Sequence, residues 1–84
     1  MAKRKVKIAK YTAIFEPAEE GGYVVTVPSL PGCVTEGDTF EEAVKMAKDA
    51  IGAYVASLKK HREPVPYEET GSFVGIIEVP IATP

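Results

Sequence analysis

The stretch 39-TFEEAVKMAKDAIGAYVASLKKHR-62 decides the fold. Thr39-Phe40-Glu41-Glu42 fits a capping box: the Thr39 hydroxyl accepts from the Glu42 N–H while the Glu42 carboxylate reaches back. Asp38, Glu41 and Glu42 also place negative charge at the positive end of the helix dipole. Phe40, Ala43, Val44, Ala47, Ile51, Tyr54, Val55 and Leu58 then recur at three- and four-residue steps and form one apolar stripe. Lys59, Lys60, His61 and Arg62 put positive charge at the other end, and Pro64 stops the run. A single helix from Phe40 to about Arg62 is therefore predicted.

Upstream of it the periodicity changes from helical to alternating. Lys7 to Glu16, rich in Tyr, Thr, Ile and Phe and closed by Pro17, reads as a strand. Tyr11, Ala13 and Phe15 share one face of it; Ile8, Lys10, Thr12 and Ile14 share the other. A polar loop with Gly21 and Gly22 leads to a second strand, Tyr23 to Val27, so the two form an antiparallel hairpin. Pro28-Ser29-Leu30-Pro31-Gly32 is a rigid turn, and Cys33 to Glu36 makes a short third strand before Gly37. Beyond the helix, Phe73-Val74-Gly75-Ile76-Ile77-Glu78-Val79 reads as a buried fourth strand. The expected architecture is α+β: an antiparallel-rich sheet, β-β-β-α-β, with one helix on one face. The strands carry apolar residues on both faces, for example Tyr23, Val25 and Val27 against Val24. One helix covers one face only, so a second layer from another chain is expected, a homodimer first.

Composition bounds the function. The chain has 84 residues, 45% of them hydrophobic and 26% charged, which is one small domain spanning 1–84 with a thin core. No apolar run reaches the ~20 residues of a membrane span, and no apolar segment follows the basic start as in a secretory signal. A cytoplasmic protein without cofactor is expected. Five of the ten basic residues, Lys3, Arg4, Lys5, Lys7 and Lys10, lie in the arm 1–10. From Tyr11 onward five basic residues face twelve acidic ones, a balance of −7. The arm has two readings, a contact with nucleic-acid phosphates or a solvated edge strand kept from aggregating by lysine. The acidic body favours a basic protein as partner.

Catalysis finds little support. Cys33 and His61 are the one cysteine and the one histidine, with no third member to complete a nucleophilic site. One histidine cannot build a histidine metal cage. Glu16, Glu36, Asp38 and Asp49 are the carboxylates a two-metal nuclease would need, but they scatter over a strand end, a loop, a cap and a helix. Tyr11, Phe15, Tyr23 and Phe73 could stack bases, although acidic surroundings favour a packing role. Gly21-Gly22 joins two strands and does not open a phosphate-binding helix.

The run from Gly21 to Ala43, GGYVVTVPSLPGCVTEGDTFEEA, resembles the signature of the HicB antitoxin family, with Ser29 in place of a usual acid. Tyr11 to Glu16 and Glu63-Pro64-Val65-Pro66 extend the resemblance to about residues 8–67. It implies a partial ribonuclease-H-like fold and neutralisation, by direct binding, of a HicA-like toxin, a small basic RNA-cleaving protein. It implies no catalysis by this chain. Pro28, Pro31, Gly32, Gly37, Asp38 and Thr39 match the motif as fold-makers; Glu19, Glu20, Glu36 and Glu41 are the candidate partner contacts. Many family members add a C-terminal DNA-binding domain, which the sequence beyond Pro80 has no length to supply. A second class therefore stays open: a nucleic-acid binder using Lys3, Arg4, Lys5 and Lys7, or a vestigial nuclease using Glu16 or Asp38.

Overall fold

A computed structural model describes residues 8–68 and 74–84. Three strands, β1 (Ile14–Pro17), β2 (Tyr23–Thr26) and β3 (Val34–Gly37), precede one helix, α1 (Phe40–Lys60). They form an antiparallel sheet in the order β1-β2-β3. Phe15 lies opposite Val25 and Val25 opposite Thr35; one step along, Glu16, Val24 and Glu36 form the next row. The hairpin turns on Gly21 and Gly22, both at positive φ, with Ala18 and Gly22 closing the loop by a 3.0 Å backbone bond.

The alternation read from the sequence holds. Val25 is fully buried with Ala43 and Ala47 of α1, and Ala13, Phe15 and Tyr23 pack around them. Val27, Leu30 and Cys33 form the second cluster, roofed by Tyr11, Ala50, Ile51 and Tyr54. Burying Leu30, Val25 and Val27 completely contributes about 1.5–3 kcal/mol each. The proline turn is held from inside: Leu30 N–H donates to the Val27 carbonyl and Cys33 N–H to that of Leu30. From the helix, the Tyr54 hydroxyl donates to the Pro31 carbonyl at 2.8 Å, and Gly32 adopts φ 82°.

The helix reaches the sheet through small residues. Ala43 and Ala47 are its buried positions, and a Cβ on Gly37 would overlap the backbone of Ala43. Thr39 caps the helix as expected, its hydroxyl accepting from Glu42 N–H at 3.1 Å. The return arm of the box lands one residue early, on the Asp38 N–H at 3.4 Å. At the far end the helix stops two residues before the predicted Arg62. Arg62 takes φ 56°, with Glu63 N–H donating to Leu58 O and Arg62 N–H to Lys59 O, the paired bonds of a Schellman motif.

Two expectations change. The first strand is ordered as sheet over Ile14–Pro17, not from Lys7, because its partner β2 ends at Thr26, where the chain turns at Pro28. Among the described residues no strand lies beside residues 8–13. The predicted fourth strand also fails to join the sheet. Phe73 lies outside the described residues; among the described residues 74–84 pairs with no strand, and it is exposed throughout. Among the described residues its apolar side chains find no surface to cover. The basic positions Lys3, Arg4, Lys5 and Lys7 also lie outside the described residues.

An unforeseen clamp holds the chain after the helix. The Glu68 carboxylate accepts from the Thr12 N–H, from the Thr12 hydroxyl at 2.6 Å and from the Ser29 hydroxyl at 2.9 Å. Tyr11 adds a 2.7 Å bond from its hydroxyl to the Pro66 carbonyl. Three donors aimed at one carboxylate, those of Thr12 foremost, hold the Glu68 pKa below its ordinary 4.5. A folded-state pKa below the unfolded one adds stability above about pH 4.5, lost as pH falls through the folded value. Urea unfolding should therefore separate wild type from Glu68→Gln near neutral pH, with the gap closing as pH falls below 4.5 and the carboxylate takes up its proton. A gap independent of pH would contradict the ionised clamp.

Candidate interaction surface

The register collects acidic residues at one end of the molecule. Pro17, Tyr23 and Gly37 lie side by side across the sheet, so the β1–β2 turn, the end of β3 and the start of α1 share that end. Gly22 is pressed against it: a Cβ there would stand 2.5 Å from the Gly37 carbonyl oxygen. Glu16 and Glu36 flank Val24 on the sheet face turned away from the helix, about 10 Å apart across two strand spacings. Glu19 and Glu20 stand exposed on the turn, and Glu41 on the first helical turn beside Asp38 and Glu42. Between Tyr11 and Val44 the sequence holds seven carboxylates and no lysine or arginine.

The same outward face carries an apolar row. Ile14, Thr26 and Val34 are paired across the three strands, and Ile14 and Val34 remain 44% and 57% exposed. Glu16 and Glu36 border this row, so the surface combines an apolar middle with an acidic rim, the anatomy of a protein-binding patch. The four candidate contacts, Glu19, Glu20, Glu36 and Glu41, thus fall at one end. Glu16, Ile14 and Val34 belong with them. The signal that reveals these three is the alternation of β1 and β3, which puts them on the face opposite Phe15 and Thr35.

The residues weighed for chemistry are placed otherwise. Cys33 is buried among Val27 and Leu30, and burial pushes its thiol pKa up, away from the reactive thiolate. His61 lies exposed at the helix end with Nδ1 2.8 Å from the Ser57 carbonyl. Glu16, Glu36, Asp38 and Asp49 are not gathered; among the described residues no cluster of three or more His, Cys, Asp or Glu could hold a metal. Phe15 and Tyr23 turn inward against Phe40, with ring centroids 4.8 and 6.1 Å away. They are therefore not a base-stacking platform. Of the fold-makers, Pro28 and Pro31 bracket the turn, Gly32 supplies its positive φ, Gly37 admits the helix, and Asp38 and Thr39 form its cap.

A family model described as the HicB-like antitoxin of bacterial toxin–antitoxin systems matches residues 11–76. A UPF0150 protein of Thermoplasma acidophilum is 56% identical over 57 residues, which cover 68% of this chain and 83% of that protein. A UPF0150 protein of Synechocystis is 43% identical over 63 residues, 75% of this chain and 80% of its own length. The antitoxin HicB of Escherichia coli K12 is 43% identical over 42 residues, half of this chain but 30% of that longer protein. Among the described residues no helix is long and apolar enough to cross a membrane.

Proposed function

The chain belongs to the HicB-like antitoxin family, and on that premise we propose that it neutralises an mRNA-cleaving toxin of the HicA type by direct binding. The observation that carries this reading is the acidic end, built from a stretch between Tyr11 and Val44 with seven carboxylates and no lysine or arginine, next to the exposed Ile14–Val34 row. An RNA-cleaving toxin must present positive charge to phosphates, and a carboxylate-rimmed apolar patch is complementary to such a surface. The antitoxin then works by occlusion. It occupies the surface that RNA would use and supplies no reacting group of its own.

In this reading the β-β-β-α core is a partial ribonuclease-H-like arrangement. The site of action is the cytoplasm, where mRNA is cleaved. Glu19, Glu20, Glu36 and Glu41 steer and rim the complex, while Ile14, Val24 and Val34 form its dry centre.

The test is a cleavage assay. The toxin encoded beside this chain is purified, incubated with labelled mRNA, and titrated with the antitoxin. Expected is a stable complex and loss of cleavage at about one antitoxin per toxin, with association slowed by added salt. Unimpeded cleavage at a tenfold excess would overturn the reading. A salt-sensitive shift of RNA or DNA by this chain alone would instead favour the nucleic-acid binder.

A further inference from the structure

Residues 74–84 form an apolar arm without a resting place. Val74, Ile76, Ile77, Val79 and Ile81 are 65–93% exposed, and Glu78 is the sole charged residue among 74–84. The radius of gyration, 16.6 Å, exceeds the about 12 Å of a compact chain this long, in keeping with an arm lying off the body. Five aliphatic side chains left in water have no solvation rationale in one isolated chain.

The body holds a groove of matching character. It measures about 640 Å³ and is bounded by Ala9, Lys10 and Tyr11 on one side and Ile51, Gly52 and Val55 of α1 on the other. Lys48 and Lys59 stand with Lys10 along its walls. Ile51 and Val55, on the helical stripe that runs on to Leu58, are only half-buried. Gly52 sits inside the helix with open space where a side chain would be. A helix-interior glycine lowers helix stability relative to alanine, and its use here leaves room for a close backbone approach. Beside it, residues 8–13 run on from the edge strand β1, and among the described residues no strand lies against them; Glu68 holds the Thr12 N–H, and the stretch before it is an edge on which an arm can pair.

We infer that the arm 74–84 is an exchange strand: it seats in the groove between residues 9–11 and α1 of a second copy of this chain, and receives that copy's arm in return. Alternation fits. With Ile77, Val79 and Ile81 turned to Ile51 and Val55, Glu78 falls on the opposite face, towards the wall that carries Lys10. Charge fits too, since the arm carries one carboxylate and no cation while the groove carries three lysines. Burying Ile77, Val79 and Ile81 removes about 100 Å² each, so two exchanged arms with the surfaces they cover reach roughly 1,200 Å², the lower end of the range for specific interfaces. Strand exchange between identical chains also gives the two-fold symmetry of the commonest oligomers. The inference does not depend on any toxin.

The full chain provides the test. Sedimentation at micromolar concentration should give a dimer. Labelled (15N) and unlabelled chains are refolded together and treated with a zero-length carbodiimide cross-linker. Glu78 should then join a groove lysine, Lys10 first, and about half of those cross-links should pair a labelled with an unlabelled chain, as random mixing of exchanged arms requires. Ile77→Asp with Val79→Asp should weaken dimerisation at least 100-fold. Gly52→Leu, which fills the groove and favours helix, should do the same with helical circular dichroism retained. A monomer, cross-links confined to one chain, a dimer in which Glu78 joins no groove lysine, or dimers indifferent to both variants would each overturn the proposal.

Discussion

Gly37→Ala is expected to destabilise the fold by about 3 kcal/mol or more, although it adds a single methyl group. The new Cβ would collide with the nitrogen and Cα of Ala43 and the carbonyl carbon of Glu42. All three are backbone atoms, so no side chain can swing aside. The helix cannot retreat either without uncovering Ala43, which is fully buried against Val25, and straining the Thr39 cap. For a domain of this size total stability is about 4–12 kcal/mol, so the loss should lower the melting temperature by more than about 10 °C. Gly21→Ala is the control. Its φ of 99° strains any side chain but nothing lies within 4 Å, and it should lose only about 1 kcal/mol. If thermal and urea unfolding place the two variants together, the close approach of α1 to β3 is not what holds the helix.

The second large effect concerns the partner. Reversing Glu19, Glu20, Glu36 and Glu41 to lysine changes the acidic end by eight charges, while all four positions are exposed and support no buried group. Association with a HicA-type toxin should slow by roughly 100-fold at low ionic strength, with the difference shrinking as salt is raised. Lys59→Glu with Lys60→Glu, at the opposite end of α1, should leave the rate near that of wild type. Stopped-flow association with the neighbouring toxin reads both. An unchanged on-rate in the fourfold variant would remove the acidic end from the encounter and leave the Ile14–Val34 row as the main contact.

What could be read from the sequence is what local chemistry determines. Thr39 with Glu42 announces a helix start because a hydroxyl three residues before an N–H can cap it wherever the helix packs. Tyr11, Ala13 and Phe15 declared the inward face of their strand because alternation is a property of the backbone. Glu36 and Glu41 could be picked out as acidic surface in the same way, but their gathering with Glu19 and Glu20 depends on strand register, which no local pattern states. Glu68 was illegible for a different reason. Its donors, Thr12 and Ser29, lie 56 and 39 residues away, and nothing around Tyr67-Glu68 distinguishes a clamp from a solvated loop. The arm 74–84 misled in the opposite sense. Its pattern is that of a buried strand, and burial needs a neighbour that the described residues of the same chain do not offer.

The alternation of the three strands also separates two kinds of inheritance. Phe15, Val25 and Thr35 point towards the helix, and a change in any of them is felt by the fold. Ile14, Glu16, Val24, Thr26, Val34 and Glu36 point the other way, where substitution disturbs no packed neighbour from the helix. Related chains can therefore rewrite one side of the same four-residue strands to follow a changing partner while the other side stays as it is. Partner choice can drift in such a lineage without the molecule passing through unstable intermediates.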